Sequence, residues 1–180
     1  LIRHGENDYV KEGKLAGRLP GVHLNETGLQ QAQCLAECLS KAPLKAIYSS
    51  PLERALETAA PLAQALRLEV QIRPGLLETD IGAWTGQPLK ALRRTRQWKT
   101  VQLAPSRFRF PAGESFAESQ QRIVSELEAL CQVHAPKDLV ACVTHADPIK
   151  LAVAYFLGLP LDNFQRLCLS PGSITALQLN

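Results

Sequence analysis

Short apolar runs alternate along this chain with longer stretches in which apolar residues recur every three or four positions. The short runs lie at residues 1–2, 46–48, 68–72, 139–143 and 174–179, and they predict strands. The run at 139–143 is apolar throughout, which is typical of a strand buried on both faces of a parallel sheet. The run at 174–179 is expected to close the chain as its last strand.

The longer stretches carry helical periodicity, and two of them begin at a recognisable cap. Thr27 with Gln30 and Ser115 with Glu118 fit the capping box, in which each side chain bonds to the backbone N–H of the other residue. The predicted helices run from 25 or 27 to about 39, from 51 to 66, from 89 to 103, from 116 to about 133 and from 147 to about 158.

The helix after the second strand has the clearest start. Ser50 is the expected N-cap, Pro51 takes the first helical position and Glu53 the third. Pro61 is expected to kink or restart this helix, because proline lacks the N–H that an internal turn needs.

The alternation of strands and helices predicts the fold class. We expect one α/β domain over residues 1–180, with three layers in the order α/β/α and a mostly parallel central sheet. In such sheets, ligands bind beyond the carboxyl ends of the strands. The residues that follow each strand are therefore the first candidates for function.

Composition narrows the class without naming a function. The chain has 180 residues, is 46% hydrophobic and carries a net charge of +3, which excludes a disordered chain, a collagen and a disulfide-dense mini-protein. Its five cysteines are odd in number and form no CxxC pair, so we expect reduced thiols and a cytoplasmic location. No apolar run approaches the ~18 residues of a membrane helix, so no membrane association is expected.

The predicted strand ends carry two histidines, two arginines and a carboxylate: His4, His145, Arg3, Arg54 and Glu78. Guanidinium groups suit a phosphate or a carboxylate, and a neutral imidazole such as that of His4 can attack phosphorus. His145 could stabilise charge on phosphoryl oxygens, and Glu78 could protonate a departing oxygen. Together they indicate phosphoryl chemistry.

Other interpretations use the same residues. His4, Glu78, His145 and Asp147 could instead be metal ligands, although the neighbouring arginines oppose a cation site. The chain could also be a non-catalytic module that has kept a phosphate pocket, and intact catalytic positions argue against this.

Six blocks of sequence resemble the histidine phosphatase (phosphoglycerate mutase-like) superfamily. They appear in the family's order: RHGE at 3–6, LNETG at 24–28, YSSPLERA at 48–55, LE at 77–78 with GAWTG at 82–86, FPAGES at 110–115 and VTH at 143–145. The closest likeness is to a bacterial branch of probable phosphomutases.

The resemblance implies a phosphoglycerate mutase-like fold and a phosphohistidine intermediate on His4. It implies a phosphate pocket of Arg3, Arg54 and His145, with Glu78 as proton donor and acceptor. It also implies no metal or other cofactor, and a small phosphorylated metabolite as substrate. Dimers are common among such folds, so a homodimer is a further expectation. The length favours a phosphatase of small phosphomonoesters, with a phosphomutase as the alternative.

The chain departs from the family pattern in two places. Many members have asparagine where this chain has Val10, so Asn7 is the candidate substitute for holding phosphate. After the second histidine many members have two glycines, whereas this chain has Ala146 and Asp147. Asp147 could bind a substrate hydroxyl or hold the histidine protonated. Gly17, Ala146 and Asp147 are candidate substrate-binding residues.

The charge is unevenly distributed along the chain. Residues 81–113 hold seven Lys and Arg and no acid, a charge of +7, so the remaining residues carry −4. We expect a basic helical insertion at about 87–110 over the active site, with Arg94 and Lys99 as candidates to contact a second anionic group. A solvated basic helix face is the alternative. No nucleic acid is expected, because the net charge is low.

Overall fold

The computed structural model describes residues 1–179, in which one parallel sheet forms the centre. Its strands are β1 (Ile2–Arg3), β2 (Leu44–Ser49), β3 (Val70–Ile72) and β4 (Leu139–Thr144), in the order β1-β4-β2-β3. All three pairings are parallel. The predicted domain of 1–180 ends at Asn180, which lies outside the described residues.

Seven α-helices surround this sheet within the described residues. They are α1 (Asp8–Lys11), α2 (Glu26–Leu39), α3 (Glu53–Leu66), α4 (Leu89–Leu92), α5 (Arg96–Leu103), α6 (Phe116–Val133) and α7 (Ala146–Phe156). Short 3-10 helices lie at Pro74–Leu76, Gly82–Trp84, Pro105–Arg107 and Leu161–Arg166. None of the helices within residues 1–179 is long and apolar enough to cross a membrane.

Successive side chains of the central strands enter opposite faces of the sheet. Ile47, Ala141 and Val143 pack with α2 and α3 on one face, whereas Tyr48 and Cys142 pack with α6 and α7 on the other. This alternation, with apolar residues on both faces, covers the sheet with helices on each side. The predicted three-layer α/β/α fold is confirmed.

The segment that contains the basic residues is held to the domain by aromatic rings. Phe108 packs against Trp84 and Phe110 with ring centroids 5.3 and 5.0 Å apart, and Phe110 packs against Phe116 at 5.2 Å. All four rings are buried. The apolar side of this segment therefore belongs to the core, while its cations lie at the surface.

Two predicted helix starts are confirmed, at Ser115 and at Asn25, whereas the capping box predicted at Thr27 and the start predicted at Ser50 are wrong. Ser115 and Glu118 form the capping box at the start of α6. Asn25, rather than Thr27, caps α2, because its side chain accepts a hydrogen bond from the backbone of Gly28 at 2.9 Å.

The start of α3 is the second correction. The N-cap is Leu52 and has no side-chain cap, because the Ser50 hydroxyl lies against His145 instead. Pro61 lies inside α3 and the helix continues to Leu66. Proline removes one backbone bond, and the buried Leu62 keeps the following turn packed against the sheet.

Two further predicted elements differ in the structure. The single helix expected at 89–103 is two helices, because the helix breaks at Thr95. The Thr95 hydroxyl donates to the carbonyl oxygen of Leu92, the last residue of α4, at 2.7 Å. It also caps α5 by accepting from the Trp98 backbone at 3.2 Å. The strand expected at 174–179 is only an antiparallel bridge between Ile174 and Ile2. Its partner β1 has two residues and offers no longer edge to pair with.

The first turn of α2 packs directly on the loop that follows β1. A Cβ on Gly28 would lie 2.0 Å from the carbonyl oxygen of Glu6, and a Cβ on Gly5 would lie 2.7 Å from that of Gly28. Only glycine allows these two backbone segments to approach so closely. The approach positions the loop that carries His4.

We expect Gly28→Ala to lower the free energy of unfolding by about 1–3 kcal/mol, because the new methyl group must push the two segments apart. Urea denaturation measures the change. Gln30→Ala, at an exposed position of the same helix, is the control. Equal urea midpoints for Gly28→Ala and the wild type would show that the close approach does not constrain the fold.

Candidate active site

A cavity of about 200 Å³ lies at the carboxyl ends of β1 and β4, beside the loop that follows β3. Residues that the sequence predicted to act together line it: Arg3, His4, Asn7, Gly17, Arg54, Glu78, Ala146 and Asp147. His145 is fully buried behind it, with its ring 5.1 Å from that of His4. A larger, mainly apolar cavity of about 260 Å³ lies where β4 begins and holds none of these residues.

His4 is buried and neutral. Its Nδ1 lies 2.7 Å from the carbonyl oxygen of Gly5, and since a carbonyl can only accept, Nδ1 carries the proton. Burial, and after it the positive charge of Arg54, lowers the pKa of His4 to about 3. Nε2 is therefore an unprotonated nitrogen available to the cavity.

Thr58 ties the loop of His4 to α3, and the sequence analysis missed it. The backbone N–H of Gly5 donates to Thr58 Oγ1 at 2.9 Å, and that hydroxyl donates to the carbonyl oxygen of Arg54 at 2.7 Å. Thr58 is 1% exposed. A hydroxyl on the alanine-rich, buried face of α3 was the available signal.

Each arginine of the site is anchored through one nitrogen and leaves another free. Arg3 Nη1 donates to the carbonyl oxygen of Leu169 at 2.6 Å, and Arg54 Nη2 donates to that of Gly17 at 2.7 Å. Arg3 Nε and Arg54 Nη1 are buried and have no hydrogen-bond partner among residues 1–179. Gly17 thus contributes a carbonyl that orients Arg54.

In Asn7 and His145 as well, one polar atom of the side chain is hydrogen-bonded within the protein and the other is not. Asn7 Oδ1 caps α1 by accepting from the Val10 backbone at 3.0 Å, and its Nδ2 is buried without a partner. His145 Nε2 lies 2.8 Å from Ser50 Oγ, which also accepts from the Leu52 backbone at 3.4 Å. In the tautomer in which the Ser50 hydroxyl donates to Nε2, the imidazole proton lies on Nδ1, which is buried and has no partner among residues 1–179.

Four buried nitrogens of residues at this cavity therefore have no hydrogen-bond partner among residues 1–179. We refer to them as the donor cluster: Arg3 Nε, Asn7 Nδ2, Arg54 Nη1 and His145 Nδ1. A buried donor without a partner costs roughly 1–3 kcal/mol. A tetrahedral oxyanion has enough oxygens to accept from several of them at once. The donor cluster therefore indicates an anion site.

His145 is neutral in this structure. Burial holds its pKa well below the ordinary value, and Arg54 lowers it further. This argues against the idea that Asp147 holds His145 protonated.

Side chains from other elements anchor the loop that carries Glu78. Arg122 of α6 donates from Nη1 to the carbonyl oxygens of Gly75 and Leu77 at 3.0 and 2.7 Å. Thr144 Oγ1 donates to the carbonyl oxygen between them, that of Leu76, at 2.6 Å. The carbonyl of Glu78 itself accepts from Arg18 Nε at 2.8 Å.

Glu114 joins the two arginines that hold this loop. Its Oε1 accepts from Arg122 Nη2 at 2.7 Å, from Arg18 Nη2 at 3.1 Å and from the Asp80 backbone at 2.8 Å. Glu114 lies within a block that carried the resemblance, but the sequence assigned it no role. Arg18 and Arg122 were not identified, because ordinary surface arginines have the same helix and loop positions.

The Glu78 carboxyl has an acid strength suited to proton transfer near neutral pH. Its Oε1 accepts from the Thr79 backbone at 2.9 Å. Burial, and after it the negative charge of Asp147, raises the pKa of Glu78 to about 7. Such a group can both give and take a proton.

The basic segment contributes little to the cavity itself. Of residues 87–110, Leu89 lines the wall, held by a hydrogen bond from its backbone to the carbonyl of Gly13 at 2.8 Å. Arg94 and Lys99 are exposed and do not line it. Within the described part of the chain, no three His, Cys, Asp or Glu side chains are grouped so that they could hold a metal ion.

The chain is similar to known proteins over nearly its whole length. The model of the histidine phosphatase superfamily (branch 1) matches residues 1–180. The chain is 33% identical to phosphoserine phosphatase 1 of Hydrogenobacter thermophilus over 169 residues, covering 91% of this chain and 78% of that protein. It is 28% identical to the 2,3-bisphosphoglycerate-dependent phosphoglycerate mutase of Thermoplasma acidophilum over 179 residues, covering 99% and 86%.

A solved structure shares the fold. Phosphoserine phosphatase from Entamoeba histolytica, in complex with 3-phosphoglyceric acid, superposes with a TM-score of 0.83 and 28% identity. The match covers 95% of this chain and 85% of that one.

We expect inorganic phosphate to raise the melting temperature of the protein by about 5–10 °C at a hundred times its Kd, because binding satisfies the donor cluster. Arg54→Met should abolish the shift, since it removes one of the four donors and a buried positive charge. Differential scanning fluorimetry measures it, with the exposed Arg166→Met as the control. An undiminished shift in Arg54→Met would contradict an anion site here.

Proposed function

The chain belongs to the histidine phosphatase superfamily, and on that premise we propose that it hydrolyses small phosphomonoesters through a phosphohistidine at His4. The observation that carries the proposal is a neutral His4 with a free Nε2 facing the same cavity as the donor cluster. A nucleophile beside unsatisfied donors is the arrangement that phosphoryl transfer requires.

In the first step, the donor cluster binds the phosphoryl oxygens and His4 Nε2 attacks the phosphorus atom. The bond between phosphorus and the ester oxygen breaks as the bond to Nε2 forms. Glu78 gives its proton to the ester oxygen, which leaves as an alcohol. The two arginines neutralise charge on the phosphoryl group, which Coulomb attraction favours in this buried setting.

In the second step, water attacks the phosphohistidine. The Glu78 carboxylate takes a proton from that water, the bond between phosphorus and Nε2 breaks, and inorganic phosphate leaves. Glu78 is then protonated and His4 neutral, as at the start. No atom of the protein is consumed.

A phosphomutase would differ only in the group that attacks the phosphohistidine, a second hydroxyl instead of water. The similarity to a phosphoglycerate mutase keeps this as the alternative. The cavity wall includes Lys14 and Asp147, whose side chains are 44% and 28% exposed, so the cavity opens to solvent. Access of water favours hydrolysis over transfer.

The surroundings of the site are part of the same proposal. Residues 87–110 form a basic insertion at the outer edge of the active site, where their positive charge attracts phosphorylated metabolites over a distance. Four of the five cysteines are exposed free thiols, which fits a reducing compartment such as the cytoplasm. A homodimer stays a prediction.

We expect His4→Ala to abolish hydrolysis of every phosphomonoester, because the phosphohistidine cannot form. Glu78→Gln should reduce hydrolysis of alkyl phosphates about 10²–10⁴-fold, since an alkoxide leaves only when protonated. It should affect p-nitrophenyl phosphate much less, because p-nitrophenolate leaves without a proton. Rates of phosphate release from both substrates, with the exposed Glu37→Gln as control, measure this.

Retained activity in His4→Ala would contradict the phosphohistidine route. Equal losses on the two substrates in Glu78→Gln would show that Glu78 is not the proton donor.

The pH profile gives a separate prediction. Glu78 must be protonated for the first step, so kcat/KM should fall as the pH rises through its pKa of about 7. His4 must be neutral, so activity should be lost only as the pH falls towards about 3. The wild type should show this alkaline fall with an alkyl phosphate and lack it with p-nitrophenyl phosphate, whose leaving group needs no proton, when kcat/KM is followed at constant ionic strength. An equal alkaline fall with both substrates would assign it to another group.

A further inference from the structure

Asp147 is a carboxylate in the wall of a cavity that otherwise favours anions. It is the second residue of α7, two positions after His145, and lines the same cavity as Arg3 and Glu78. Arg3 interacts electrostatically with both carboxylates. A bound phosphate would be repelled by Asp147, so this residue weakens phosphate binding unless something offsets its charge.

Lys150 and Arg3 attract the Asp147 carboxylate, but within residues 1–179 neither donates a hydrogen bond to it. Lys150, one turn further along α7, has its Nζ 3.9 Å from Asp147 Oδ1, which is beyond hydrogen-bond distance. The same Nζ is 3.4 Å from Gln165 Oε1, on the other side. Among residues 1–179, the Asp147 carboxylate accepts no hydrogen bond, and its side chain remains 28% exposed to the cavity and solvent.

A ligand can supply what the protein does not. A hydroxyl group would donate one hydrogen bond and leave the negative charge in place. An ammonium group donates up to three hydrogen bonds and brings a full positive charge, so it removes the repulsion between Asp147 and the phosphate. The charge balance of the cavity therefore favours an ammonium group.

We propose that Asp147 forms a subsite for the ammonium group of the substrate, so that this enzyme selects phosphate esters of amino-substituted alcohols, the class that contains O-phosphoserine. The inference rests on the proposed phosphatase function and names its substrate class. Arg3, Glu78 and Asp147 line one cavity, so the phosphate and the ammonium would occupy neighbouring positions in it.

Two substrates form a matched pair for the test. O-phosphoserine and 3-phosphoglycerate both carry a phosphate ester and a carboxylate. They differ only at the middle carbon, which carries an ammonium group in O-phosphoserine and a hydroxyl group in 3-phosphoglycerate. The ratio of their kcat/KM values isolates recognition of that group. Both substrates use the same Glu78, so any effect of Asp147 on the Glu78 proton cancels in the ratio.

The wild type should prefer O-phosphoserine, and Asp147→Asn, which keeps the shape and removes the charge, should lower the ratio at least tenfold. Glu128→Gln, at an exposed position on α6, removes one negative charge away from the cavity and should leave the ratio unchanged. An unchanged ratio in Asp147→Asn, or a wild type that prefers 3-phosphoglycerate, would overturn the subsite.

A binding measurement separates this inference from the function on which it rests. Isothermal titration of both compounds into His4→Ala, with and without Asp147→Asn, gives the ratio of their Kd values without turnover. If the wild type hydrolyses neither compound nor p-nitrophenyl phosphate, the proposed function fails. The Kd ratio then still decides the subsite: a tenfold loss of preference in the double variant supports it, and no loss overturns it.

Discussion

Arg54 is 1% exposed, so a full positive charge lies in the protein interior at the start of α3. Moving such an ion out of water costs several kcal/mol even after the protein relaxes. One carbonyl, that of Gly17, accepts from Nη2, and the charges of Glu78 and Glu53 oppose the loss of its proton. The other nitrogen, Nη1, has no hydrogen-bond partner in the part of the chain that the structure describes. This buried, half-satisfied charge determines the chemistry around it.

Its consequences reach each reacting group. The charge of Arg54 adds to burial in lowering the pKa of His4 and of His145, so both rings are neutral. A neutral His4 has a lone pair for phosphorus, and a neutral His145 keeps one N–H for the donor cluster. The same charge opposes the rise in the pKa of Glu78, which leaves that carboxyl able to exchange a proton near neutrality. The buried Arg54 thereby helps to keep His4 neutral as a nucleophile and to keep the pKa of Glu78 near neutrality.

Such tuning requires groups that do not move. Thr58 links the loop after β1 to the helix of Arg54, and Arg122 with Arg18 fixes the loop of Glu78 from outside. Glu114 compensates both of those arginines. The side chains proposed to react come from three separate loops, and these bridges hold two of the loops in place. Donors that are already held in place do not have to reorient when negative charge develops on the phosphoryl group.

Local patterns predicted much of the secondary structure, and they failed where a distant contact or a weak local signal decided the outcome. The α6 capping box was predictable because both partners lie within four residues. Ser50 was assigned to a helix cap on equally good local grounds, but in the structure its hydroxyl bonds to His145, which is 95 residues away. Leu89–Leu92 and Arg96–Leu103 were predicted as one helix, because a capping threonine inside a helical pattern gives only a weak signal.

The sequence by itself determined the layer order, the parallel sheet and which five residues meet at its carboxyl edge, since hydrophobic periodicity and strand ends are properties of neighbouring positions. Only the tertiary structure decided what those residues can do. Burial and charge set the pKa of His4 and of Glu78, and both depend on contacts between distant segments. The unpaired nitrogens, the anchors Thr58 and Arg122, and the open carboxylate of Asp147 are likewise visible only once the chain has folded.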